Sequence, residues 1–165
     1  FDCNFDGSFC NWNQLSDDIF DWTRQIGKTP SGSTGPQADH TPGNGGLGAY
    51  IYIEASSQNS NDTARIKSPE ITQSTSTLCL SFWYHMKGNK IGRLHVYTKR
   101  NQTGLGDAVW TRDGEQGDDW KQGYVNLSQI PVPYTIVFEG VRDGGFQSDI
   151  AIDDITLVEG DCPGN

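Results

Sequence analysis

The sequence predicts an all-β fold, a jelly-roll sandwich of two antiparallel sheets with about ten strands. Three observations carry that expectation. Short segments in which apolar and polar residues alternate recur along most of the chain, as in strands with one buried face. Between them nothing convincing repeats at the helical period of about 3.6 residues. Finally, 20 Gly and 7 Pro, together with scattered Ser, Thr and Asn, punctuate the 165 residues with turn signals and leave little room for long helices.

Taken in order, an opening strand is expected at residues 4–5, followed by strands at 20–25, 47–54 and 64–67. The clearest segment is 79–86. There Leu80, Phe82, Tyr84 and Met86 form one face and Cys79, Ser81, Trp83 and His85 the other, and large residues on both faces mark a central strand. Further strands are expected at 93–98, 108–112, 120–127, 134–140 and 150–158. Segments 29–46 and 55–62, rich in Gly, Pro, Ser and Asn, are read as loops with no core of their own. A single domain over residues 1–165 follows, with no internal repeat.

The formal net charge is −9, and the 12 Lys and Arg never gather into a run. That field opposes nucleic acid and anionic membrane surfaces. The longest largely apolar stretch, 130–138, is interrupted by two prolines and is far too short to cross a bilayer as a helix. No basic-then-apolar signal segment opens the chain, which reads as a mature chain or an excised module.

Four cysteines, Cys3, Cys10, Cys79 and Cys162, contain no C-x-x-C, so a disulfide framework is simpler than a zinc ribbon or a redox motif. Asn-x-Ser/Thr triplets at Asn61, Asn101 and Asn126 are candidate glycosylation sites and add to the case for an extracellular chain.

The stretch 43–48 has the letters of a dinucleotide-binding G-x-G-x-x-G, but a strand pattern follows it where that motif needs a helix N-terminus. It reads as a turn. Metalloprotease, nucleophile-elbow and paired-carboxylate glycosidase motifs are all missing, and His85 and His95 lie within strand patterns where packing is the commoner role. No enzymatic activity is expected. The acids say more: Asp6, Asp39, and Asp153 inside the apolar frame of Ile150, Ile152 and Ile155. A carboxylate in a core strand needs backbone donors, a cationic partner or a metal, and several acids meeting at one point suit Ca2+.

The blocks Cys3-Asn4-Phe5-Asp6, Phe9-Cys10-Asn11-Trp12, Asp21-Trp22-Thr23-Arg24, Thr34-Gly35-Pro36 and Ala38-Asp39-His40-Thr41 resemble, in order, those of a MAM domain. The series continues through the Cys79 to Met86 strand, Val137-Phe138-Glu139-Gly140 and the Asp149 to Ile155 segment to Cys162. The style is closest to MAM modules of enteropeptidase-like and multi-MAM proteins. The resemblance implies a jelly roll with Cys3 joined to Cys10 and Cys79 joined to Cys162. It also implies a structural Ca2+ near the N-terminal strand, held by Asp6, Asp39 and Asp153, although many members carry Glu where this chain has Asp6. The function it implies is a non-catalytic extracellular adhesion or recognition module of a larger secreted or membrane-anchored protein, working through a protein partner or self-association. The rival is a calcium-dependent carbohydrate-binding module, which would need some of Trp12, Trp22, Trp110 and Trp120 at the surface. Packing of these rings in the sandwich is the favoured reading.

Overall fold

The computed structural model describes residues 1–43, 46–73, 77–101 and 104–164. Among the described residues ten strands are formed: β1 (Asn13–Gln14), β2 (Thr23–Ile26), β3 (Ala49–Tyr52), β4 (Thr63–Lys67), β5 (Thr77–Met86), β6 (Arg93–Lys99), β7 (Trp110–Asp113), β8 (Lys121–Ser128), β9 (Thr135–Val141) and β10 (Ile150–Glu159). They divide into two five-stranded antiparallel sheets, ordered β1-β4-β9-β6-β7 (sheet I) and β2-β3-β10-β5-β8 (sheet II). Sequence neighbours such as β4 and β5, or β9 and β10, lie in opposite sheets, the crossing pattern of a jelly-roll-like sandwich.

Alternation sets the layers. Leu80, Phe82, Tyr84 and Met86 of β5, Ile150 and Ile152 of β10, and Ile136 and Phe138 of β9 all point into one core. Phe82 sits edge-on to Phe138 and to Trp110, each with ring centres 4.9 Å apart. Gly123 in β8 leaves room for this ring, because a Cβ there would lie 2.5 Å from the Phe82 Cζ.

Segment 29–43 turns back over the outer face of sheet II. Thr34 Oγ1 donates to the Lys87 carbonyl (2.9 Å), and the Trp120 indole N–H donates to the Ala38 carbonyl (3.1 Å). Beneath it Tyr50, Tyr52 and Ala151 make a smaller second core with Trp120 against them. The four questioned tryptophans are all used in packing: Trp12 and Trp22 are buried, and Trp110 and Trp120 are half-buried against the two cores.

Disulfides join Cys3 to Cys10 and Cys79 to Cys162. The second ties β5 to the segment after β10, where Cys162 N also donates to the Asn126 side chain (2.8 Å).

The expected opening strand at 4–5 does not form. Phe5 has φ 60°, in the left-handed region, so the backbone cannot stay extended there, and only a single bridge, Cys3 to Ile155, marks the place. A strand that the alternation did not reveal, β1, forms instead at Asn13–Gln14 along β4. After the stretch 43–48 comes β3, and Gly46 N donates to the Gly43 carbonyl (3.0 Å); positions 44 and 45, on which the expected turn falls, lie outside the described residues.

Candidate functional site

Three elements bring the acids together. The Cys3–Cys10 disulfide closes a tight loop that presents Asp6, and the Asp6 Oδ1 accepts the amide of Ala49, the first residue of β3 (2.8 Å). Arg24 of β2 fixes this loop from beneath, its guanidinium donating to the Phe5 carbonyl (2.6 Å) and to the Asp6 carbonyl. Segment 29–43 delivers Asp39, whose Oδ1 accepts the Gly43 amide (3.2 Å). Asp153 comes from the centre of β10, at a register shift against β5, and is fully buried. Its two oxygens accept the amides of His40 (2.9 Å) and Asp154 (2.8 Å).

Charge repulsion is concentrated here. Burial pushes the Asp153 carboxyl up to about 8, and the Asp154 and Asp39 charges push in the same direction. Burial also raises Asp39, with Asp6 and Asp154 adding to the effect while the Gly43 amide opposes it. The Asp39 Oδ2 is buried and has no hydrogen-bond partner among the described residues. Gly48 passes so close that a Cβ there would lie 1.9 Å from it.

An orphaned carboxylate oxygen in a field of further carboxylates is the donor chemistry of a hard cation. Asp6, Asp39 and Asp153 therefore fit Ca2+ by chemistry. Among the described residues, however, no three His, Cys, Asp or Glu side chains already surround one metal-sized point. A bound ion would draw its remaining ligands from backbone carbonyls and water.

Reading the sequence for acids missed the neighbours that frame this site. The His40 ring stacks on Trp83 (3.8 Å between centres), and its Nδ1 meets the Asp154 carboxylate at 2.6 Å. Arg24 carried no signal beyond its place in the Asp21-Trp22-Thr23-Arg24 block. Asp149 was passed over as well, though it is fully buried, with Oδ1 accepting the Ala55 amide (3.0 Å) and Oδ2 without a partner among the described residues.

The three sequons differ in setting. Asn61 is exposed at a turn with φ 70°, just before β4. Asn101 is exposed after β6, with the rest of its triplet outside the described residues. Asn126 lies within β8, half-buried, its Oδ1 engaged by the Cys162 amide.

A family model described as MAM domain, meprin/A5/mu, matches residues 3–163. Neuropilin-1a from Danio rerio is 41% identical over 167 residues, covering 96% of this chain and 17% of that protein. MAM domain-containing glycosylphosphatidylinositol anchor protein 1 from Homo sapiens is 41% identical over 170 residues, covering 98% of this chain and 17% of its own length. The chain thus spans about one-sixth of the curated relatives it matches. Among solved structures, the K3 cleaved adhesin domain of Lys-gingipain from Porphyromonas gingivalis W83 superimposes with a TM-score of 0.67 at 15% identity, covering 97% of each chain, a likeness of fold alone.

Proposed function

The chain belongs to the MAM family, and from that premise we propose that it is a non-catalytic recognition module working by protein–protein contact, either with a partner or with another copy of itself. The module is extracellular, like the glycosylphosphatidylinositol-anchored proteins among its relatives. Its two disulfides belong to an oxidising compartment.

One observation carries the contact reading: the part of the sheet II outer face that segment 29–43 leaves uncovered. There Tyr124, Ser81 and Thr156 form one cross-strand row, and Asn126, Cys79 and Val158 form the next. Tyr124 and Val158 are exposed, large and apolar, on a frame fixed by the long disulfide. Exposed aromatic and aliphatic side chains on a rigid sheet are suited to a protein interface. The carbohydrate reading is less well supported, because Trp12 and Trp22 are buried and Trp110 and Trp120 are half-buried against the cores.

A bead-aggregation and partner-capture assay tests the proposal. Coated beads should cluster or capture a cell-surface protein, and Tyr124→Asp with Val158→Asp should abolish the effect while the melting temperature holds. Binding that survives both changes refutes this surface. A glycan array that gives robust binding with no protein contact refutes the wider reading.

Ca2+ is proposed as a structural ion on Asp6, Asp39 and Asp153, supported by the orphaned Asp39 oxygen. It would neutralise the clustered acids and pin the N-terminal loop, segment 29–43 and β10 together. Calorimetric titration should give heat that Asp39→Ala and Asp153→Ala remove, and a chelator should lower the melting temperature. No heat and no chelator effect would strike the ion from the account.

A further inference from the structure

Dispersed along the chain, the Lys and Arg residues are sorted by the fold. Arg24 serves the Phe5 carbonyl, Arg65 pairs with Glu139 (2.6 Å) and Lys87 with Asp118 (2.9 Å). Arg93 donates to Asn61, Arg112 lies over Trp110, and Arg142 is buried against the Ala55 carbonyl. These cations hold structure together. Lys67, Lys99 and Arg100 share one cleft of about 270 Å³, which also takes in Glu70, Asn101 and Thr135.

Strand register explains the convergence. Lys67 ends β4 and pairs with Val137 of β9, while Lys99 ends β6 and pairs with Thr135 of the same strand. Both lysines are on the outer face of sheet I, because Ile66, Ile136 and Phe138 occupy the inner one. With one strand between them and a two-residue offset, their backbones are about 12 Å apart. Arg100 extends the array by one exposed residue. Among the described residues, neither Lys67 nor Arg100 is in an ion pair. The described residues that line the cleft include three cations and one carboxylate, in a chain of net charge −9.

We infer that this cleft is a binding site for a sulfated polysaccharide. The occupant must be anionic and must find most of its affinity in charge and in hydrogen bonds to the Asn101 amide and Thr135 hydroxyl. An acidic peptide lacks its usual footholds here. β9 is paired on both sides, so no strand can be added to it, and Tyr134, although it borders the cleft, is only 4% exposed and offers little of its ring as an anchor. A nucleic acid lacks the exposed aromatic platform on which its bases would stack. A sulfated chain needs neither device, and it releases condensed counterions when cations replace them. The overall negative charge does not forbid this, because at physiological salt its field is screened beyond about 8 Å.

The test is chromatography and surface binding on immobilised heparin, with the secreted chain both intact and enzymatically deglycosylated, since Asn101 stands on the cleft rim. Retention should weaken about 20-fold between about 50 and 150 mM salt if three cations are engaged. Lys67→Glu, Lys99→Glu and Arg100→Glu together should abolish it, whereas the exposed Lys28→Glu, Lys90→Glu and Lys121→Glu set, with the same change in net charge, should leave most of it. Failure of both glycoforms to bind at low salt, or equal losses in the two variants, overturns the inference. Displacement by polyglutamate as effective as by heparin fragments transfers the cleft to an acidic peptide and overturns it too.

Discussion

Removing the two disulfides one at a time should reveal very unequal contributions. Cys3 and Cys10 are 7 positions apart, Cys79 and Cys162 are 83 apart. In the chain-entropy description, opening the short loop costs about 2.5 kcal/mol and opening the long one about 4.6 kcal/mol, because the longer loop restricts the unfolded chain more. Burial acts in the same direction. Cys79 and Cys162 are both almost fully buried, so serines in their place bring two hydroxyls into an apolar setting, whereas Cys10 is exposed. The Cys79→Ser/Cys162→Ser chain should therefore melt below the Cys3→Ser/Cys10→Ser chain. A gap of about 2 kcal/mol corresponds to about 4–8 °C for a domain of this size. Calorimetry of both variants at one pH and scan rate measures it. Equal midpoints, or a lower midpoint for the short-loop variant, would refute the reasoning, and would mean that the N-terminal loop holds the sandwich more firmly than chain entropy and burial allow.

Asp149 should impose a pH dependence on stability, because burial raises its carboxyl from the ordinary 3.8 to about 7. Between those values the native state keeps a proton that the unfolded chain has lost, so its contribution is complete below about pH 4 and falls away as pH rises through about 7. Asp149→Asn should thus gain on the wild type in melting temperature as pH rises from 4.5 to 7.5, and a constant difference would dismiss the carboxyl as the cause. Gly123→Ala should destabilise by about 1–3 kcal/mol through its collision with Phe82, while Gly144→Ala, which meets nothing within 4 Å, should be near neutral in the same urea titration. Peptide mass spectrometry of the secreted chain should find glycan at Asn61 and Asn101 in preference to Asn126, whose amide is tied to Cys162; full occupancy at Asn126 would contradict that order.

Most of the sandwich was legible because a strand in a two-layer fold has one wet and one dry face, and that difference is written into alternate residues. The β5 segment is the clearest case, and its large residues on both faces correctly marked a central strand, paired with β10 and β8. The failures have local causes. Phe5 is apolar and flanked by polar residues, yet it sits at φ 60° because the disulfide turn and Arg24 hold its backbone there. β1 is only two residues long and reads as a loop, since it exists by virtue of Ile66 and Lys67 opposite it.

Sites were legible where a residue was odd in its own context and illegible where the oddity was a matter of neighbours. Asp153 stood out because a carboxylate in an apolar strand is costly wherever the strand goes. His40 did not, because its role depends on Trp83 and Asp154, which the fold brings beneath segment 29–43. The same distinction governs charge. Reading the cations along the chain gives a dispersed set and an acidic field, from which no polyanion site would be expected. Yet β4 and β6 flank β9, so Lys67 and Lys99 become neighbours across one strand although β5, a strand of the other sheet, separates them in sequence. Net charge describes the field at a distance, and register determines what a ligand meets at contact. In a sandwich whose sheets are assembled from non-consecutive strands, the second cannot be inferred from the first.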